Sequence, residues 1–254
     1  MKRASPWSKL VAGMILASAV SLFAPHPPLA AQTPTIAEKT RGLTRLDGFI
    51  PLYWDPATGK LWMEITRLGE EFLYITGAST GVGSNDIGLD RGQIGGERIV
   101  RFERIGNKVL LVQPNYGFRA SDTSAAARRA VEESFATSTL WGFRVEAESS
   151  GTILVDATDF AVRDVHDVAG TLTRSRQGSY RLDAGRSAIY PANTKVFPRN
   201  TEIETSLTFT GDNPGSWVRD VAPSAEALTI RERISLVKLP DPGYTPRAFD
   251  PRAG

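Results

Sequence analysis

Alternation of apolar and polar positions is the main pattern in this chain, and it predicts β-strands. Leu61, Met63 and Ile65 share one face of a predicted strand, with polar or aromatic residues on the other. Gly106-Asn107 is a two-residue loop of the kind that joins tightly paired strands, so it predicts a hairpin. The strands predicted in this way are 49–53, 60–66, 72–76, 97–105, 108–113, 140–146, 152–156, 187–190, 202–210 and 228–239.

Helical spacing occurs in two places. Ala127, Val131 and Phe135 recur every four residues, which predicts an amphipathic helix that Asp122 caps and that lies on a sheet. A shorter helix is predicted over 164–172. Because strands outnumber helices and tight turns join them, we expect a mainly β fold of the α+β kind with antiparallel, sandwich-like sheets.

The start of the chain is organised like an export signal. Lys2 and Arg3 precede an apolar stretch over 10–23, and a small-residue site at Leu29-Ala30-Ala31 follows, so we predict cleavage after Ala31 or at the bond before it. The alternative is an uncleaved anchor, but the apolar stretch is shorter than the roughly 20 residues that a membrane span requires. We therefore expect a periplasmic or extracellular protein with no membrane span after cleavage.

Four segments are expected along the chain, in an order set by composition. The signal is followed by a polar, flexible leader, then by one β-rich domain, and last by a proline-rich connector that leads to a downstream domain. Their predicted bounds are 1–31, 32–46, 47–239 and 240–254.

Charge and cysteine content exclude several classes of function. The 30 Lys and Arg residues are interspersed with 28 Asp and Glu residues and form no basic stripe, so we expect no nucleic-acid partner. There are no cysteines, which excludes disulfides, thiolate zinc sites and a cysteine nucleophile. Stability must therefore come from packing.

Two candidate catalytic features are weak. Ser79 lies in a G-x-S-x-G sequence, but a nucleophile elbow needs a helix directly after the serine, and Gly83 and Asn85 favour a loop. His166 is the single histidine of the predicted mature chain. Together with Asp164 and Asp167 it would make a poor zinc site, and the simpler interpretation is that these carboxylates are solvated residues beside a short helix.

The glycine-rich segment 83–93 differs in kind from these features. Its glycines allow a tight backbone from which polar and charged side chains project. The loop is either a contact surface or an internally paired knot that closes a sheet. The candidate contact residues are Asn85, Asp86, Asp90 and Arg91.

The same loop begins a set of sequence strings that resembles a known family. The strings are Asn85 to Gln93, Gly96 to Glu103, Leu182-Asp183 with Arg186-Ser187, Phe197 to Glu202, Leu239 to Tyr244 and Arg247 to Arg252. They resemble the N-terminal region of bacterial secreted zinc-dependent metalloproteases of the metzincin type. In that family this region is an uncharacterised domain that precedes a catalytic domain with the motif H-E-x-x-H-x-x-G-x-x-H, in which Glu is the base and zinc activates water.

No part of that zinc motif occurs in this chain, so no catalytic or metal-binding residue is assigned to it. The resemblance implies a catalytically inert domain that accompanies a downstream metallopeptidase domain in cis, with zinc in that domain and a peptide or protein as substrate. Its role would be scaffolding, latency or substrate positioning. Two alternatives remain: an exported, stand-alone binding module that uses the 85–93 loop and exposed aromatics such as Trp141 or Trp217, and serine hydrolysis at Ser79.

Overall fold

The computed structural model describes residues 33–120, 124–241, 243 and 245. The predicted export signal over 1–31 and most of the connector over 240–254 lie outside these residues. In the described part of the chain, no helix combines the length and the apolar character needed to cross a membrane.

The strands confirm the predicted mainly β, antiparallel fold. They are β1 (Thr44–Leu46), β2 (Leu52–Asp55), β3 (Lys60–Ile65), β4 (Glu71–Ala78), β5 (Ile94–Ile105), β6 (Lys108–Gln113), β7 (Ser138–Ser149), β8 (Thr152–Asp156), β9 (Ser179–Leu182), β10 (Ala188–Ile189), β11 (Lys195–Phe197), β12 (Asn200–Asp212) and β13 (Ala227–Lys238). Their order in one sheet is β1-β2-β3-β8-β7-β6-β5-β4-β13-β12-β10, and β9 and β11 also pair with β12. Where the sequence suggested sandwich-like sheets, this single sheet curls into a nearly closed barrel.

The predicted hairpins are present, and their turns have the backbone that such short loops require. Gly106 has a φ of +59°, as the first central residue of a type II′ turn between β5 and β6 requires. The β7–β8 turn has positive φ at both Ser150 (51°) and Gly151 (81°). These turns set the register that carries alternate side chains into the barrel.

The connection between β1 and β2 closes the barrel against β11 and β12. The Phe49 amide donates to the Phe197 carbonyl at 2.8 Å. Thr201 Oγ1 accepts from the Ile50 amide at 3.0 Å and donates to the Ile50 carbonyl at 2.9 Å. Gly48 permits this approach, because a Cβ there would lie 2.5 Å from the Phe197 carbonyl oxygen.

Two hydrophobic clusters follow one face of the sheet. The larger fills the barrel, and Phe160, 1% exposed, lies within it against Tyr74, Trp141 and Phe143. The second continues along β12 and β13, where two helices cover it. Its buried members are Ile87, Leu89, Val168, Leu172, Tyr180, Leu207, Phe209, Val218, Ala225, Leu228 and Ile230.

The helices agree with prediction in part. They are α1 (Ile36–Lys39), α2 (Ala125–Ser134), α3 (Thr158–Ala161), α4 (Val168–Arg174) and α5 (Ser216–Val221). The predicted amphipathic helix is α2, but Ser124 caps it, through a 3.2 Å bond from the Ala127 amide, and Asp122 lies outside the described residues. None of the residues of α2 is buried, so the expectation that it packs on a sheet is wrong. The second predicted helix begins at Val168 instead of Asp164.

The flexible leader predicted over 32–46 is also wrong for the described residues from 33 onward. Thr35 and Glu38 form a capping box that starts α1, and β1 pairs with β2. Ile36, 8% exposed, packs against the outer faces of Trp62 and Leu154. The polar composition of this segment hid one buried side chain that attaches it to the barrel.

Replacing Ile36 by alanine should therefore lower the free energy of unfolding by about 2 kcal/mol, the low end for truncating a buried isoleucine. Urea unfolding followed by tryptophan fluorescence measures the change. Ile94→Ala is the matched control, because Ile94 is 71% exposed and its truncation should cost less than about 0.5 kcal/mol. Equal effects of the two substitutions would mean that the segment does not pack on the barrel.

Candidate functional site

The loop between β4 and β5 is anchored by apolar residues and presents polar ones. Ile87 and Leu89 are buried in the second cluster, and the Val82 amide donates to the Leu89 carbonyl at 3.0 Å. No ion pair within the described residues holds the loop closed. Its exposed side chains include the four predicted contact residues, Asn85, Asp86, Asp90 and Arg91. Their role as a contact surface stays a prediction.

The end of the same loop lies next to His166, whose backbone amide binds the buried carboxylate of Glu232 on β13. Gln93 Oε1 lies 3.2 Å from His166 Nε2. The backbone amides of Val165 and His166 donate to Glu232 Oε2 at 2.8 and 3.1 Å. Glu232 is 1% exposed, and its Oε1 has no hydrogen-bond partner among the described residues. Burial, and after it the nearby Asp164 carboxylate, raises the pKa of Glu232 to about 8.

Asp164 has a structural task in this cluster. Its two carboxylate oxygens accept the amides of Val168 and Ala169 at 2.8 and 3.0 Å, so it satisfies the free N–H groups at the start of α4. Asp167 forms an ion pair with Arg174 at 2.7 Å. The interpretation of Asp164 as a merely solvated residue is therefore wrong, because it caps the helix.

His166 is enclosed on the side that faces the sheet. Burial lowers its pKa, so the ring is neutral at pH 7, and its Nδ1 is buried with no partner among the described residues. A Cβ on Gly95 would lie 2.8 Å from Nδ1 and 2.6 Å from Thr76 Oγ1, so only glycine fits there. No group of three or more His, Asp or Glu side chains in the described residues could hold a metal ion.

Ser79 follows β4 directly, but its hydroxyl is bound to a carboxylate. It donates to Glu204 Oε2 at 3.0 Å. Glu204 is 4% exposed and also accepts from Asn193 at 2.9 Å and pairs with Arg231 at 3.0 Å. A carboxylate neutralised in this way is a poor general base, so the arrangement holds the loop after β4 in place and does not activate the serine.

Sequence reasoning missed both buried glutamates, although one had a readable signal. Along β13 the apolar residues Ile230 and Ile234 point inward with a period of two, and Glu232 occupies the inward position between them. A charged residue in an apolar register is the mark of a buried, functional or strained group. Glu204 lies on the other face of β12, and only the fold shows that residues 190–194 cover it.

Of the two tryptophans proposed as exposed contacts, one is half-buried against the barrel core. Trp141 packs against Phe143 and Phe160 in the barrel core, with the Arg163 guanidinium 5.1 Å from its ring centroid. Trp217, on α5, is 38% exposed. Of these two tryptophans, Trp217 is the more accessible candidate contact residue.

The model of a protein family described as "Domain of unknown function (DUF5117)" matches residues 92–254. The chain belongs to the DUF5117 family. The DUF5117 match begins within the β4–β5 loop and includes Asp164, His166, Glu204 and Glu232. No curated protein and no solved structure matches the chain. The family description states no activity.

Proposed function

We propose that this DUF5117 domain is an exported, non-catalytic domain that accompanies a zinc-dependent metallopeptidase, with the peptide-hydrolysing zinc centre in a downstream domain of the same polypeptide. The resemblance of the strings over 85–93, 96–103 and 197–202 to secreted zinc metalloproteases supports the metallopeptidase part. The polar side chains considered for catalysis in this domain are engaged in structural hydrogen bonds or are buried, which supports the non-catalytic part.

One observation carries that second part. The polar groups considered for catalysis have structural partners or are enclosed: Ser79 donates to Glu204, Asp164 caps α4, and Glu232, which the structure adds to them, is buried with the pKa of an acid that stays protonated at pH 7. A catalytic acid or base must reach its substrate. These groups instead hold the loops at one end of the barrel.

The exposed loop provides a surface through which such a domain can contact its neighbour. Gly83, within this loop, lies against α5, where a Cβ on it would be 3.4 Å from Val221 Cβ. Val221 is 40% and Trp217 38% exposed, so α5 presents apolar side chains beside the loop that carries the charged ones. Such a mixed patch is typical of interfaces between domains of one chain. We call this patch the loop–α5 surface: Asn85, Asp86, Asp90, Arg91, Trp217 and Val221.

The first test is the reading frame that follows the codon of Gly254. We expect it to continue into a segment with an H-E-x-x-H motif on a predicted helix. A frame that stops directly, or that continues without this motif, would overturn the metallopeptidase part and favour the stand-alone binding module.

The second test uses the longer gene product. Deleting residues 33–241 should change kcat/KM for zinc-dependent peptide hydrolysis by at least about fivefold, the lower end of ordinary coupling between sites. Trp217→Ala combined with Arg91→Ala should shift kcat/KM in the same direction. Phe197→Ala is the matched control, since Phe197 is 45% exposed and lies on β11, next to the β1–β2 connection. Unchanged kinetics after the deletion would contradict a role as companion domain.

A further inference from the structure

Part of β5 has a neighbour on one side only. β5 pairs with β4 from Ile94 to Arg101, but its pairing with β6 begins at Arg101. Ile94 to Val100 therefore form an open edge of the sheet within the described residues. An open edge presents unpaired N–H and C=O groups in the arrangement that another strand can bind.

The hydrogen-bond pattern between β5 and β6 fixes which backbone N–H and C=O groups of β5 point away from β4 along this edge. Ile105 and Lys108 flank the two-residue turn and form a hydrogen-bonded pair. Ile105, and every second residue before it, therefore directs its backbone N–H and C=O groups to the β6 side. The alternate residues direct their backbone groups to the β4 side. Phe102 is one of them, and its carbonyl accepts from the Gly69 amide at 2.8 Å. The amides and carbonyls of Glu97 and Ile99 are therefore the ones directed at the open side.

An aromatic groove lies beside the edge, formed by residues of 115–120 and 128–137 in the connection between β6 and β7. Phe118 and Phe135 stack at 3.7 Å between ring centroids and remain 48% and 36% exposed. With Ile99, Tyr116 and Val131 they line a groove of about 420 Å³. A second groove of about 430 Å³, lined by Glu97, Arg98 and Ile99 among others, runs along the edge itself. It shares Ile99, Asn115 and Tyr116 with the first. A strand therefore has space to enter.

The charged side chains beside the open edge indicate which side chains a strand bound there would carry. Arg98 lies on the same, inner face of β5 as Val100 and is half-buried. Among the described residues no carboxylate forms an ion pair with it. Glu97 points to the opposite face with Ile99. An acidic side chain on the inner face of an added strand would pair with Arg98 and stay separated from Glu97 by the strand itself.

We propose that the open edge of β5 and the adjoining aromatic groove bind an extended peptide segment in which a large apolar residue adjoins an acidic one. The peptide backbone pairs with Glu97 and Ile99, its apolar side chain enters the groove at Phe118 and Phe135, and its acidic side chain pairs with Arg98. Backbone pairing gives affinity and alternate side chains give selectivity, as in other proteins that add a strand to a sheet edge. The site is independent of the proposed link to a metallopeptidase.

The experiment is a ¹H–¹⁵N NMR titration of residues 32–254 with an acetylated, amidated hexapeptide of sequence threonine-threonine-phenylalanine-aspartate-threonine-threonine. We expect a dissociation constant below about 1 mM, with the amides of Glu97 and Ile99 shifted and slowed in hydrogen exchange. The peptide with its central amides N-methylated should bind at least about tenfold more weakly, since it cannot pair with the edge.

Variants of the protein separate this site from unspecific binding. Phe118→Ala with Phe135→Ala, and separately Arg98→Gln, should each weaken binding at least about fivefold. Phe197→Ala should leave it unchanged, as a matched exposed aromatic outside the groove. All variants should keep the unfolding midpoint of the wild type within a few degrees.

Three results would overturn the proposal. They are no binding at about 1 mM peptide, binding that the N-methylated peptide shares in full, and self-association of the chain that protects Glu97 and Ile99 without peptide. The last result would assign the edge to a second copy of this chain. None of these results bears on the downstream zinc centre.

Discussion

Replacing Phe160 by alanine should lower the free energy of unfolding by about 3 to 5 kcal/mol, the usual cost of removing a buried phenylalanine. Phe160 is 1% exposed, and its ring contacts Tyr74, Trp141 and Phe143 at centroid distances of 5.2 to 6.2 Å. These rings come from two strands, β4 and β7, so one cavity would loosen the contact of α3 with both of them. The short helix α3 delivers this side chain into the barrel and fixes the segment that precedes Asp164.

Urea unfolding at constant pH measures this change, with Phe197→Ala as control because Phe197 is 45% exposed. The control should cost less than about 0.5 kcal/mol. A loss below about 1 kcal/mol for Phe160→Ala would mean that the ring does not fill the barrel interior.

Replacing Glu232 by glutamine should make the protein more stable above pH 8 and flatten its dependence on pH. The pKa of Glu232 is about 8 in the folded protein, against an ordinary value of 4.5. Between these pH values the folded form holds a proton that the unfolded form releases, so stability falls as the pH rises through this window and levels off above pH 8. The full loss is at most about 5 kcal/mol, because each tenfold difference in proton affinity corresponds to about 1.4 kcal/mol.

Glutamine keeps an oxygen for the Val165 and His166 amides and places a neutral group beside Asp164. Thermal and urea unfolding from about pH 5 to pH 9 measures the profile. Glu226→Gln, a change at an exposed position, is the control and should reproduce the wild-type profile. A Glu232→Gln profile parallel to that of the wild type would show that Glu232 is already ionised at neutral pH.

The strands were predictable because alternation and turn chemistry are local signals. Leu61, Met63 and Ile65 share a face in the sequence and lie buried in the barrel, and Gly106-Asn107 forms the turn that its composition indicates. The curling of one sheet into a barrel depends on contacts between distant segments, such as Phe49 with Phe197, and no local pattern contains them.

The predictions that were wrong or incomplete have the same physical origin, because each depends on contacts between distant segments of the chain. Amphipathic spacing in α2 indicates a helix correctly but cannot show whether its apolar face is covered. In the segment from residue 33 to 46, one buried side chain, Ile36, outweighed a polar composition. Buried Glu232 and half-buried Asp164 join β13 to the start of α4, and the sequence separation between the two hid their proximity.

The most direct test of the central claim is to measure zinc content and peptide hydrolysis of purified residues 32–254, with and without a chelator. The account predicts substoichiometric zinc and no chelator-sensitive cleavage of a quenched-fluorescence peptide library, because the described residues use their polar groups to hold the fold. Stoichiometric, tightly bound zinc together with cleavage that the chelator abolishes would contradict it.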